Sequence, residues 1–119
     1  MALPDTQVGI RRQADVLFHG EPVGVLQELQ NGFRFAYAPE WVLSSRPSVS
    51  ASLPIRTAPY ESVRLFPFFQ GLLSEGELRR VQMRIARLDD ADAFGLLLAT
   101  CREDTAGAVT VRPLLEEIT

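Results

Sequence analysis

At 119 residues the chain is the size of one ordinary domain, long enough to bury an apolar core without a disulfide or metal staple. Its net charge of −3 excludes a general nucleic-acid surface, which needs clustered positive charge to displace counterions from phosphate. The one cysteine, Cys101, has no partner for an intrachain disulfide and no zinc-ligand spacing, which points to a reduced, cytoplasmic setting. All twelve basic residues are arginine. Arginine suits bidentate, weakly hydrated interface contacts, and codon bias in a GC-rich genome would produce the same composition.

Residues 1–13, with Pro4, Asp5 and Gln7 and no apolar run, read as a flexible polar arm carrying neither a signal peptide nor a membrane span. Regular structure is expected from Asp15, where Val16 and Phe18 share one strand face, followed by a His19-Gly20 turn. Val23 to Leu29 reads as a second strand rich in β-formers. Asn31-Gly32 is the strongest turn signal in the chain, since both residues tolerate the positive φ of a type I′ hairpin. Phe33, Phe35 and Tyr37 then alternate onto one face, completing a three-stranded meander over about 15–38.

Pro39 opens a helical turn through Leu43, which Ser44 to Pro47 ends. Ser48 to Leu53 alternates small polar with apolar residues and reads as a short strand or extended segment, and 55–65 reads as irregular. Phe66 to Gly76 concentrates three phenylalanines and two leucines; Pro67 fits the first position of a short helix with Phe69, Leu72 and Leu73 on one face. Ser74 and Glu77 have the spacing of a capping box for a second helix over about 75–88, with Leu78, Val81, Ile85 and Leu88 inward and Arg79, Arg80, Arg84 and Arg87 mostly on other faces. Asp89-Asp90 offers a cap for a third helix from Ala91 to about Thr100, with Phe94, Leu97 and Leu98 inward. Ala108 to Arg112 alternates again and should return to the sheet before Pro113, leaving 114–119 as a tail. The fold class is therefore α+β: a small antiparallel sheet with about three helices on it, over residues 14–113.

The residues assemble no recognisable chemistry. His19 falls at a hairpin tip, Asp89, Asp90 and Asp92 are accounted for by helix capping, and neither a dinucleotide fingerprint nor a Gly-Lys-Ser/Thr loop occurs. Cys101 follows a helix C-terminus, where the dipole raises a thiol pKa, so a reactive thiolate is not expected. No catalytic, cofactor-binding or metal-binding residue is assigned. A small-molecule-binding or hydrolytic enzyme would need a convergent polar set, which is not visible. Trp41 admits two readings, a core plug or an interface hot spot. So does the arginine face of the second helix, as a solvated face or a surface for an acidic partner.

In order along the chain stand Val23-Gly24-Val25-Leu26, Phe33-x-Phe35-x-Tyr37 followed by Trp41, Ser52-Leu53-Pro54 with Arg56, Phe68-Phe69-x-Gly71-Leu72-Leu73-x-Glu75-Gly76, Asp92-Ala93-Phe94-Gly95-Leu96-Leu97 and Asp104-Thr105-Ala106-Gly107-Ala108. This pattern resembles the N-terminal subdomain of HipA-type serine/threonine kinases, the toxins of HipBA toxin–antitoxin modules, across about 14–112. The Phe-Phe-x-Gly-Leu-Leu-x-Glu-Gly element is the specific one. Ser74 departs from a usual proline and Arg102 from a common glycine.

The resemblance implies a small α+β subdomain packed on a kinase core, with ATP binding and catalysis in a C-terminal portion outside these residues. It further implies, by similarity to three-gene HipBST arrangements, a separate small protein that binds a shortened kinase and neutralises it without being an enzyme. The alternative is an N-terminal fragment of a full-length kinase. Expected contact residues are Trp41, Ser52, Leu53, Pro54, Arg56, Phe68 and Phe69, with core packing the simpler role for Phe68 and Phe69. The expected partner is a HipA-like kinase, with DNA association only through a HipB-like protein, no direct nucleic-acid or membrane contact, and a homodimer through sheet edges open.

Overall fold

A computed structural model describes residues 9–89, 91–102 and 108–114. Within them the chain runs β1 (Ile10–Phe18), β2 (Glu21–Leu29), β3 (Gly32–Tyr37), α1 (Pro39–Leu43), β4 (Tyr60–Ser62), α2 (Pro67–Gln70), α3 (Gly76–Ala86), α4 (Ala93–Thr100) and β5 (Val109–Pro113). The strands form one antiparallel sheet in the order β4-β3-β2-β1-β5, so the fold is α+β with the C-terminal strand returning beside β1. Register carries the core across the sheet: Ala14 pairs with Leu26, Leu26 with Phe35, and Val16 with Val111. All five are fully buried. Phe69 of α2 meets Phe35 edge-on at 5.6 Å and Phe94 of α4 lies 6.0 Å from Phe33, which seats both helices on the face built by the alternation of β3.

Strand β1 begins at Ile10, so residues 10–13 of the expected arm belong to the sheet. The polar character of Arg11 to Gln13 conceals the strand because the partners of Arg12 and Gln13 are polar too: Arg12 faces Glu28, and Gln27 donates to Gln13 across the ladder at 3.0 Å. Partners step from Val16–Gly24 to Leu17–Pro22, leaving Val23 as a bulge residue with its side chain fully buried.

The two hairpins exchange the expected turn chemistry. His19 and Gly20 both have positive φ, 51° and 84°, as a type I′ turn requires. The second turn is Gln30-Asn31, closed by the Leu29–Gly32 pair, and neither of its residues has positive φ. Gly32 is instead needed for close approach: a Cβ there would stand 2.4 Å from the Ser62 carbonyl oxygen of β4.

Ser48 to Leu53 is a turn rather than a strand. Its serines satisfy the backbone locally, Ser48 donating to the Ser50 carbonyl at 2.9 Å and Ser50 Oγ accepting from the Ser52 amide at 3.2 Å. The edge strand falls at Tyr60–Ser62, inside the segment expected to be irregular, where Glu61 faces Arg34.

Helix α2 is a single turn, and Leu72 and Leu73 continue it with amides bonded to the Phe69 and Gln70 carbonyls. The N-cap of α3 falls one residue after the expected Ser74: Glu75 occupies it with no side-chain bond, so the Ser74–Glu77 capping box does not form, and Glu77 pairs with Arg80 at 3.0 Å. The helix ends at an αL Arg87. Its expected inward set is also corrected. Met83 is the buried residue, whereas Leu78 and Ile85 are 56% and 77% exposed and Val81 and Leu88 half-buried. Helical spacing determines which residues share a face, not which face the neighbouring α4 covers. Asp92, rather than the Asp89-Asp90 pair, caps α4; Asp89 accepts from the Ala91 amide in a preceding turn, and Asp90 lies outside the described residues. The expected tail begins with Leu114, whose amide donates to the Gln13 carbonyl; 115–119 lie outside the described residues.

Candidate functional site

Trp41 sits on the short helix that Pro39 initiates. It is 4% exposed, packed edge-on to Phe18 at 5.8 Å, and its indole N–H donates to the Pro47 carbonyl at 2.9 Å. The Arg46 guanidinium lies 4.6 Å from the ring centroid and is ion-paired with Glu21. The outer rim is an open cleft of about 450 Å³ with Glu21, Pro22, Glu40 and Arg46 along its wall. Trp41 is therefore a buried plug with the Arg46 guanidinium stacked on its ring.

The loop carrying Ser52 to Arg56 is tied to the sheet by Tyr37. The Tyr37 hydroxyl accepts from the Val49 amide at 3.1 Å and donates to the Leu53 carbonyl; burial pushes this phenol up from its ordinary pKa. Leu53 is buried, while Ser52, Pro54 and Arg56 are exposed. Arg56 lies 3.6 Å above the Tyr60 ring and donates to the Ala58 and Pro59 carbonyls, so much of its capacity is used within the loop. Phe69 is fully buried and Phe68 half-buried against it, with ring centroids 5.1 Å apart. Of the seven residues expected to contact a partner, Trp41, Leu53 and Phe69 belong to the core, Phe68 packs against it, and Ser52, Pro54 and Arg56 form one exposed loop surface.

A polar cluster escaped the sequence reading. Arg12 donates to both Glu28 oxygens, at 2.6 and 3.0 Å, and to both Asp92 oxygens, at 2.7 and 3.2 Å, with its guanidinium 5.2 Å from the Phe94 ring. Asp92 also accepts the Gly95 amide at 2.9 Å as the α4 cap. Hydrogen bonding to Arg12 holds the Asp92 carboxyl below its ordinary pKa, against an opposing contribution from burial. Gly95 permits this geometry, since a Cβ there would lie 2.3 Å from Asp92 Oδ2. The cluster locks β1 and β2 to α4. The Asp92-x-x-Gly95 spacing signalled the cap, but nothing local signalled an arginine eighty positions earlier.

The Cys101 thiol is buried, which pushes its pKa up; burial is the first cause, in place of the expected helix dipole. Among the described residues no three His, Cys, Asp or Glu side chains converge as a metal site, and no helix is long and apolar enough to cross a membrane.

The sequence pattern of the HipA N-terminal domain matches residues 14–112. The chain belongs to the HipA N-terminal domain family. Its fold agrees with a solved structure described as the N-terminal domain of HipA toxin, with a TM-score of 0.71 and 29% identity over 91% of this chain and 97% of that one. An uncharacterised Haemophilus influenzae protein is 36% identical over 101 residues, 85% of this chain and 92% of the relative. Two Sinorhizobium fredii proteins, named "Putative kinase Y4dM" and "Putative kinase Y4mE", are 38% and 34% identical over 83% and 86% of this chain. The chain spans only 26% and 24% of those two relatives, so this HipA-type domain occurs both in a protein of similar length and as about a quarter of kinase-named chains.

Proposed function

We propose that this domain is a non-enzymatic interaction subunit of a toxin–antitoxin module that binds a HipA-like serine/threonine kinase in the cytoplasm and neutralises or regulates it. The observation that carries the reading is the double occurrence of the domain, at nearly full length in the Haemophilus relative and as a quarter of the two kinase-named relatives. A domain that packs on a kinase when covalently joined to it retains a complementary surface when encoded separately. The seven expected contact residues keep different roles in this reading: Ser52, Pro54 and Arg56 offer direct contact, while Trp41, Leu53 and Phe69 hold the surface in shape from beneath. Phe68 has a half-exposed ring to contribute.

The test is co-purification of this chain with the HipA-like kinase encoded beside it, followed by autophosphorylation of the kinase with and without added domain. A stable complex with suppressed phosphorylation is the expected result. A complex with unchanged phosphorylation rejects neutralisation, and no complex rejects the subunit reading. The quarter-length matches also favour a second reading, in which these residues are the N-terminal part of a full-length kinase. A continuous kinase reading frame after Thr119 would establish it. DNA association would then arise through a HipB-like partner rather than through this domain.

A further inference from the structure

Gly76, Arg79, Arg80, Met83 and Arg84 follow the i, i+3, i+4, i+7, i+8 spacing of one face of α3. With Leu88 they line a cleft of about 500 Å³ in which no described carboxylate takes part. Met83 is buried, Arg79 half-buried, and Arg80 and Arg84 are exposed. Arg80 pairs with Glu77 at 3.0 Å, but both side chains of that pair are largely exposed, which makes it weak and replaceable. Among the described residues Arg79 and Arg84 have no ion-pair partner and their side chains donate no hydrogen bond. The Arg79 side chain has thus given up part of its hydration with nothing in the fold to replace it. The cleft holds two uncommitted guanidinium groups and a third that an incoming anion can recruit from Glu77.

We infer that this cleft is a binding site for a phosphate monoester and, resting on the kinase-binding reading above, that the phosphate is carried by a phosphorylated serine or threonine of the partner kinase. Charge and shape select the ligand. A phosphate monoester brings about −1.5 to −2 charges at pH 7 and three acceptor oxygens, which matches two free guanidinium forks. A single carboxylate would neutralise one arginine and leave the other unpaired. The volume suits one phosphorylated side chain with its adjoining backbone. A nucleic-acid backbone needs positive charge continued along its length, which a chain of net charge −3 does not supply. The consequence is that the domain holds the phosphorylated kinase more tightly than the unphosphorylated one.

Titration calorimetry and amide NMR test the assignment with three probes: the HipA-like kinase before and after phosphatase treatment, a short alanine peptide with one central phosphoserine, and inorganic phosphate. The phosphopeptide should shift amides of α3 and its flanks alone, and phosphatase treatment should weaken kinase binding about tenfold. Arg79→Gln and Arg84→Gln should each weaken phosphopeptide binding about tenfold with the circular dichroism melt intact. Arg64→Gln, at an exposed arginine outside the cleft, should leave it unchanged. Phosphopeptide shifts elsewhere or none, or equal binding by the wild type and both α3 variants, overturn the site. Equal binding by the same peptide with glutamate in place of phosphoserine overturns the phosphate assignment in favour of an acidic segment. Inorganic phosphate binding as tightly as the phosphopeptide overturns the protein-borne source. Kinase binding that phosphatase treatment leaves unchanged overturns the kinase as that source while kinase binding itself stands. If the kinase fails to bind the wild type in either state, the kinase reading falls, and the phosphopeptide alone decides the site.

Discussion

Replacing Asp92 with asparagine should destabilise the domain in a pH-dependent manner. Asparagine can still accept the Gly95 amide as a cap, but its amide nitrogen would confront the Arg12 guanidinium, which now donates to both carboxylate oxygens. Hydrogen bonds to a charged group contribute about 1.5–3 kcal/mol when shielded. Here the Arg12 side chain is 36% and the Asp92 side chain 22% exposed, so solvent screening reduces the expected loss to about 1–2 kcal/mol. Unfolding entropy of about 2.1 cal/mol/K per residue over the 119-residue chain makes this a fall in Tm of about 4–8 °C at pH 7. Asp92→Ala also removes the cap and should lose about 4 °C more, since a cap is worth about 1 kcal/mol.

The Arg12 guanidinium holds the folded-state Asp92 carboxyl below its ordinary value, so the unfolded chain binds the proton more readily. The stabilisation is complete above the unfolded value and is lost as the pH falls through the folded one. Circular dichroism melts from pH 7 to pH 2 should show the gap between wild type and Asp92→Asn closing at the acid end. A gap that stays constant over this range, or its absence at pH 7, would refute the lock between β1, β2 and α4.

Gly32→Ala should cost about 1–3 kcal/mol, because the new Cβ must displace the Ser62 carbonyl oxygen now 2.4 Å from its position; hydrogen exchange should localise the loss of protection to β4. Exchange unchanged at Tyr60–Ser62 would contradict that close approach. Trp41→Ala should cost about 3–5 kcal/mol as a core truncation, and its effect on partner binding should disappear at temperatures where the variant remains folded. Weak binding by a fully folded Trp41→Ala would instead make the ring a direct contact.

The meander was legible because Val16 and Phe18, and Phe33, Phe35 and Tyr37, alternate onto one face each, with a strand of β-formers between them. The helix starts at Pro39 and Pro67 were legible because proline lacks the amide a helix does not need there. The β4 edge was not, since Tyr60 to Ser62 has no periodicity of its own and is a strand only because Arg34 and Gly32 of β3 receive it. Among the expected contact residues, identity marked Trp41 and Phe69 as large apolar anchors. Whether an anchor points into the core or toward a partner depends on what packs over it, and both proved buried.

By itself the sequence determined the antiparallel meander, the proline-started helices and, through motifs spread over 14–112, membership of the HipA N-terminal domain family, because these rest on local periodicity and residue order. The tertiary structure decided the bridge from Arg12 to Asp92, the need for glycine at 32 and 95, and the outward rotation of Leu78 and Ile85 on α3. Each of these depends on which segments meet across the fold. Neither short-range propensity nor the hydrophobic period of a single element contains that information.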